Sequence, residues 1–207
     1  MKKFITSCHK CQFFEGKRKL LPLPLQQIST EEPFQQWGLD FIGDIHPPSS
    51  SQHKWILTAT DYFTKCIEAI PTRQANDTVI IGFLEANILS QFGCPKKIII
   101  DNVVAFKSKK MIIFCHKYHI TLGHSTAYYP QGNGLAESSN KSLINIIKKM
   151  LEENKKNWHK KLKNALWADK LTTKRSIRTS PYELVYGMEV VFPSSLGVLV
   201  IKLLQEA

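Results

Sequence analysis

Two aspartates stand at positions where a divalent cation could be bound. Asp40 lies inside a strand-like run between Leu39 and Phe41, where a buried and unpaired carboxylate would be costly. Asp101 ends the apolar run at residues 98–100. Carboxylates at one edge of a sheet supply the hard oxygen ligands that Mg²⁺ prefers. Both positions therefore predict a partner for the carboxylate, and a metal ion is one such partner.

A third candidate, Glu137, begins a predicted helix after the Pro- and Gly-containing segment 128–134. At about 100° per residue, Glu137, Lys141 and Lys148 fall within about 40° of one another on that helix, next to an apolar arc. One edge of the helix thus offers a carboxylate with two lysines that could bind phosphates. A metal ligand beside phosphate-binding lysines is what phosphoryl transfer on nucleic acid requires.

Each of these carboxylates also has a purely structural interpretation. An aspartate at the end of a strand is often only a turn residue. A glutamate in the first turn of a helix interacts favourably with the helix dipole without any catalytic role. The functional hypothesis therefore depends on the combination of Asp40, Asp101 and Glu137.

The elements that must position these residues alternate between strands and helices. Three short strand-like runs come first, and the turn PPSSSQ predicts that the first two are antiparallel. A helix capped by Asn76 and stopped at Gly93 follows, with Ile80, Phe83, Leu84 and Ile88 at helical spacing. The predicted strands are residues 37–43, 55–60, 66–70, 97–101 and 120–122.

The remaining predicted elements are helices. One at residues 108–118 is expected to bury Met111, Ile112, Phe114 and Cys115, and the chain is predicted to be helical from residue 135 onward. The predicted order is three strands, a helix, a strand, a helix, a strand and then long helices. This order indicates an α/β domain whose mixed sheet is covered by helices.

Charge restricts the classes of partner. The 207 residues carry a formal net charge of +11, which attracts polyanions such as nucleic acid or an anionic membrane surface. Between residues 141 and 178, twelve lysines and arginines stand against three acidic residues. No run of about 18 apolar residues is present, so we expect a soluble intracellular protein without a membrane partner. The five scattered cysteines predict reduced thiols, and Cys94 and Cys115 are interpreted as buried hydrophobic residues.

The spacing of the carboxylates resembles the D,D-35-E pattern of retroviral and retrotransposon integrases. Asp40 and Asp101 are separated by 60 residues, and Asp101 and Glu137 by 35. The sequence motifs around these carboxylates resemble those of Ty3/gypsy-type elements and occur in the same order along the chain. They are WGLDFIGDI, DYFTKCIEAIP, FGCPKKIIIDN, YYPQGNGLAESSNKSL and SPYELVYGMEVVFP.

This resemblance implies an RNase H-like fold with a five-stranded mixed sheet over residues 34–196. It implies that Asp40, Asp101 and Glu137 hold two Mg²⁺ or Mn²⁺ ions for 3′-end processing and strand transfer of retroelement DNA. The resemblance also implies that the protein binds DNA and that it could act as a homo-oligomer. A chromosomal DNA target would place it in the nucleus. From their place on the helix beside Glu137, we predict that Asn140, Lys141 and Lys148 contact DNA.

The amino-terminal residues resemble the end of the zinc finger that precedes the core in this family. Cys8 and Cys11 match its last two ligands, so we interpret residues 1–30 as a remnant of that finger with a linker. Two thiolates do not complete a tetrahedral site, and zinc binding by this chain alone is not expected. Residues 197–207 are interpreted as a truncated tail.

The chain departs from the family pattern beside the second aspartate. Asn102 matches the family, but Val103 stands where the family has glycine. A β-branched residue would strain the loop if that position requires a positive φ angle. Two alternatives to an active integrase therefore stay open. One is a catalytically impaired DNA-binding remnant, and the other is an RNase H-like nuclease that cuts without joining.

Overall fold

A mixed five-stranded sheet organises the chain in a computed structural model that describes residues 30–101, 104–124, 134–151 and 155–190. The strand order is β3-β2-β1-β4-β5. β1 pairs antiparallel with β2, which pairs antiparallel with β3, while β4 lies parallel to β1 and to β5. The strands are β1 (Gln36–Ile42), β2 (Trp55–Asp61), β3 (Ile67–Thr72), β4 (Lys97–Ile100) and β5 (Thr121–His124). The predicted mixed sheet is thereby confirmed.

Within the described residues, five helices connect and cover these strands. The first, α1, begins as Asp77–Phe83, continues as a π-helical segment Leu84–Leu89 and ends with Ser90–Phe92. Short 3₁₀ turns at Val104–Lys107 and Lys155–Asn157 precede two of the others. The remaining helices are α2 (Lys109–Lys117), α3 (Gly134–Met150), α4 (Trp158–Leu171) and α5 (Pro181–Tyr186).

Both ends of α1 follow from local sequence. The Asn76 side chain accepts a hydrogen bond from the Val79 backbone N–H at 3.0 Å, which satisfies one of the free donors of the first turn. Gly93 ends the helix with a φ of +82°, a conformation that glycine adopts without a steric penalty. The predicted cap and stop are both confirmed.

The two faces of the sheet are covered by different pairs of helices. One apolar cluster joins β1, β2 and β4 to α1 and α2, and the fully buried Trp37, Leu39 and Ile98 belong to it. A second cluster joins β2 and β3 to α3 and α4, and includes Ile56 and Leu143. Because successive side chains of a strand point to opposite faces, β2 contributes Leu57 to the first cluster and Ile56 to the second.

Two burial predictions are wrong. Ile112 is 54% exposed, because Met111, Phe114 and Cys115 form the inward stripe of α2 and Ile112 lies about 100° away from Met111. Cys94, which the sequence placed in a buried segment, is exposed in the connection between α1 and β4. Cys66, Cys94 and Cys115 are free thiols, as predicted.

Some sequence predictions concern residues outside the described ranges. Cys8 and Cys11, the tail at 197–207, and the pair Asn102 and Val103 all lie there. No helix in the described ranges is long and apolar enough to cross a membrane.

Candidate active site at the sheet edge

Asp40 lies on the face of the sheet that α3 covers. Its neighbours Leu39 and Phe41 pack into the cluster under α1 and α2, so strand alternation turns Asp40 the other way. The carboxylate is half-buried and accepts two hydrogen bonds. The Phe41 backbone N–H donates to Oδ1 and the Asn140 side-chain Nδ2 donates to Oδ2, each at 2.8 Å.

Strand register brings Asp101 beside Asp40. In the parallel pairing of β1 with β4, Leu39 lies opposite Ile100. Asp40 and Asp101 each follow that pair by one residue, so Asp40 lies inside β1 beside Asp101, which directly follows β4. The third carboxylate, Glu137, is exposed in the first turn of α3, the helix that also carries Asn140.

The three carboxylates influence one another electrostatically. The pKa of Asp40 is raised from 3.8 to about 6, chiefly because burial penalises the charged form. The negative charges of Asp101 and Glu137 raise it further, whereas the hydrogen bonds from Phe41 and Asn140 lower it. Asp101 and Glu137 therefore lie close enough to Asp40 for their charges to act on it.

Hard oxygen donors gathered in this way match Mg²⁺ or Mn²⁺ rather than a metal that prefers nitrogen or sulfur ligands. A bound cation would also offset the repulsion that raises the pKa of Asp40. The side chains of these carboxylates do not converge on a single point. Within the described part of the chain, no group of three His, Cys, Asp or Glu residues is arranged as ligands of a single ion.

Asn140 has a different position from the one expected of a DNA contact. Its side chain is only 6% exposed and donates to Asp40, because this part of α3 faces the sheet. Its Oδ1 is buried and has no hydrogen-bond partner among the residues that the structure describes. The other two predicted DNA contacts, Lys141 and Lys148, are exposed on α3. The sequence signal for Asn140 was its place three residues after Glu137, but its partner on β1 could not be read from the chain.

Two kinds of contact hold α3 in place. Leu143 and Ile147 pack into the apolar cluster between the sheet and α4. On the neighbouring side, the Ser142 hydroxyl donates to Asp169 at 3.3 Å. Asp169 is 1% exposed and also accepts a 2.6 Å hydrogen bond from Lys174 Nζ. The position of Glu137 therefore depends on packing from α4 as well as on α3 itself.

Comparison with known proteins identifies a similar domain family and similar polyproteins. Residues 30–130 match the model of the integrase core domain, a range that contains Asp40 and Asp101 and ends before Glu137. The Transposon Tf2-3 and Tf2-4 polyproteins of Schizosaccharomyces pombe are each 24% identical to this chain over 188 residues. That alignment covers 90% of this chain and 14% of the length of each polyprotein.

Comparison with solved structures identifies the fold of this chain. A chain of the simian T-cell lymphotropic virus intasome, solved in complex with the PP2A regulatory subunit B56 gamma, matches with a TM-score of 0.66 and 21% identity. The match covers 93% of this chain and 67% of that one. The HTLV-2 integrase catalytic core domain, solved with magnesium in a trimeric form, matches with a TM-score of 0.58 and 23% identity. That match covers 75% of this chain and 98% of the HTLV-2 domain.

These matches confirm the resemblance drawn from the sequence motifs: residues 30–130 are similar to the integrase core domain, transposon polyproteins are relatives of this chain, and the fold is the RNase H-like fold of retroviral integrase cores.

Proposed function

We propose that this chain is a metal-dependent polynucleotidyl transferase that processes and joins the ends of retroelement DNA. The observation that carries the proposal is the proximity of Asp101 and Glu137 to Asp40. Burial is the main cause of the raised pKa of Asp40, and the charges of Asp101 and Glu137 raise that pKa further. The integrase core match and the transposon relatives support the same reaction class.

In this proposal Asp40, Asp101 and Glu137 hold two Mg²⁺ or Mn²⁺ ions. Such ions, when bound, stabilise the attacking and leaving oxygens of an in-line displacement at phosphorus. The protein itself must present the carboxylates in their ionised form. The hydrogen bonds from the Phe41 backbone and from Asn140 favour that form of Asp40 and fix the orientation of its carboxylate.

The proposed reaction uses the same displacement twice. Water first attacks a phosphodiester near the end of the element's DNA, which releases a short 3′ fragment and leaves a 3′-hydroxyl. That hydroxyl then attacks a phosphodiester of the target DNA, and the 3′-oxygen of the broken target bond leaves. No covalent enzyme intermediate forms in either step.

DNA is the proposed substrate on both sides of the reaction. Lys141 and Lys148 are exposed on the helix that carries Glu137, and the chain has a formal net charge of +11. A homo-oligomer is proposed because the similar solved structures are an intasome chain and a trimeric catalytic core. A nuclear location follows from a chromosomal target and is part of the proposal.

A strand-transfer assay with a pre-trimmed donor end tests the function. We expect joined products in Mg²⁺ or Mn²⁺ and none with Asp101→Asn or Glu137→Gln. The matched control is Glu85→Gln, which removes an exposed carboxylate from α1 and should leave joining unchanged.

The same assay separates the two alternatives. Cleavage without joined products would indicate a nuclease of the same fold. Inactivity that Val103→Gly reverses would indicate an impaired DNA-binding remnant. Joining that persists in Asp101→Asn and Glu137→Gln would overturn the assignment of the site.

A further inference from the structure

A second concave site lies further along α3, outside the carboxylate cluster. It is a cavity of about 490 Å³ between the β1–β2 connection, the second half of α3 and the start of α4. That volume lies within the range of about 300–1,000 Å³ that is typical of small-molecule sites. The cavity is lined by Ile42, Ile45, His46, Pro47, Ile56, Ile144, Ile147, Lys148, Leu151, Lys155 and Trp158.

The walls are almost entirely apolar. They come from three elements that do not pack fully against one another here, with Ile56 on β2, Ile147 on α3 and Trp158 on α4 all contributing. Apolar surface that faces water gains roughly 25 cal/mol per Å² when a ligand covers it. An apolar body therefore fits this cavity better than a polar one.

Two positively charged residues stand among the apolar residues of the cavity wall. Lys148 and Lys155 line the cavity, and both residues are exposed. None of the ion pairs within the described ranges involves either of them. The third polar lining residue, His46, lies 3.3 Å from the Asp44 carboxylate. The two lysines thus offer charge to an acidic group at the mouth of an apolar pocket.

We propose that this cavity binds a small hydrophobic monoanion, such as an aromatic carboxylate or sulfonate. Its ring would cover Ile144, Ile147 and Trp158, while its acidic group would lie near Lys148 and Lys155. A nucleobase fits less well, because its ring nitrogens and exocyclic groups need hydrogen bonds that apolar walls do not supply. This site does not depend on the proposed DNA chemistry.

The cavity shares a helix face with the candidate active site. Ile144 and Lys148 follow Glu137 by seven and eleven residues, so they lie within about 20° of it around the helix axis. At about 1.5 Å per residue, they are about 10 Å and about 16 Å further along that axis. An occupant of the cavity would therefore lie beside the surface on which DNA is proposed to bind.

Two fluorescent probes of similar shape test the site in the full chain. 1-Anilinonaphthalene-8-sulfonate carries one negative charge, whereas N-phenyl-1-naphthylamine is its uncharged counterpart. We expect saturable binding of the sulfonate at one site per chain. Lys148→Gln combined with Lys155→Gln should weaken sulfonate binding about fivefold, the effect expected of exposed charge pairs, and should leave the uncharged probe unaffected.

A steric variant and a charge-matched control complete the experiment. Ile144→Phe should fill the cavity and weaken the binding of both probes, while the circular dichroism spectrum of the protein stays unchanged. Lys163→Gln removes an exposed lysine of α4 that does not line the cavity, and should change neither affinity. Sulfonate binding that survives the double lysine variant, or that Lys163→Gln weakens equally, would overturn the proposal.

Discussion

Asn140 Nδ2 donates a 2.8 Å hydrogen bond to Asp40 Oδ2, across 100 residues of sequence. This bond links the helix that carries Glu137 directly to the central strand of the sheet. It also favours the ionised form of Asp40, against the burial and the charges that raise its pKa. We therefore interpret Asn140 as a positioning residue for Asp40.

Replacing Asn140 should shift the pH dependence of activity. In Asn140→Ala the pKa of Asp40 should rise above its present value of about 6, because a hydrogen bond that favours the carboxylate is lost. The rate of strand transfer should then fall most near pH 6.5 and recover toward pH 8.5. A loss of rate that is equal at every pH would argue that Asn140 acts only through folding.

Asp40 itself should lower stability at neutral pH. Its folded pKa of about 6 lies above the usual value of 3.8, so its contribution to stability is greatest below pH 3.8 and is lost as the pH rises through 6. Asp40→Asn should therefore stabilise the fold at pH 7.5, by about 1–2 kcal/mol after allowance for partial solvent access, while abolishing activity. At pH 4 the two proteins should be nearly equal. Urea unfolding at both pH values measures this, and a gain that is the same at both would contradict it.

Divalent cations should relieve the same repulsion. We expect millimolar Mg²⁺ to raise the melting temperature by several degrees, since a ligand that binds only the folded state stabilises it. Glu137→Gln should remove most of this shift, because it removes one proposed ligand. Glu85→Gln should keep it. An equal Mg²⁺ effect in all three proteins would place the cation elsewhere.

The exposed lysines of α3 should contribute to DNA affinity through phosphate contacts. Lys141→Gln should weaken binding to DNA of any sequence and should lower the slope of log affinity against log salt by about one. Lys117→Gln, on α2, is the control for loss of one positive charge. Fluorescence anisotropy at several salt concentrations gives both slopes. Equal slopes for the two variants would contradict a specific role for Lys141.

The buried pair of Asp169 and Lys174 should matter more than an exposed one. Asp169→Ala leaves the Lys174 ammonium, whose side chain is 17% exposed, without its 2.6 Å partner. We expect a loss of about 2–4 kcal/mol in the free energy of unfolding. Lys110→Ala breaks the 3.9 Å pair with Asp77 at the surface and should cost less than about 1 kcal/mol. Urea unfolding compares them, and similar losses would show that burial adds little here.

Local patterns predicted most of the fold, whereas the assignment of Asp40, Asp101 and Glu137 to an active site stays a prediction. The helical spacing of Ile80 and Ile88 and the apolar run before Asp101 correctly indicated buried elements. The contact between Asn140 and Asp40 was not predictable, because it depends on how α3 is rotated about its axis on the sheet. The burial prediction for Ile112 failed for a related reason, since Ile112 lies about 100° from Met111 and turns away from the core when Met111, Phe114 and Cys115 face inward.

The position of α3 in chain order has a consequence for biosynthesis. All five strands are complete by His124, whereas Glu137 and Asn140 follow on a helix that starts at Gly134. A nascent chain that has only just released β5 from the ribosome holds two of the three carboxylates. It also exposes the sheet face that α3 and α4 later cover. The proposed site is thus assembled only when translation has passed the sheet, so the proposed reaction must wait until α3 has been made.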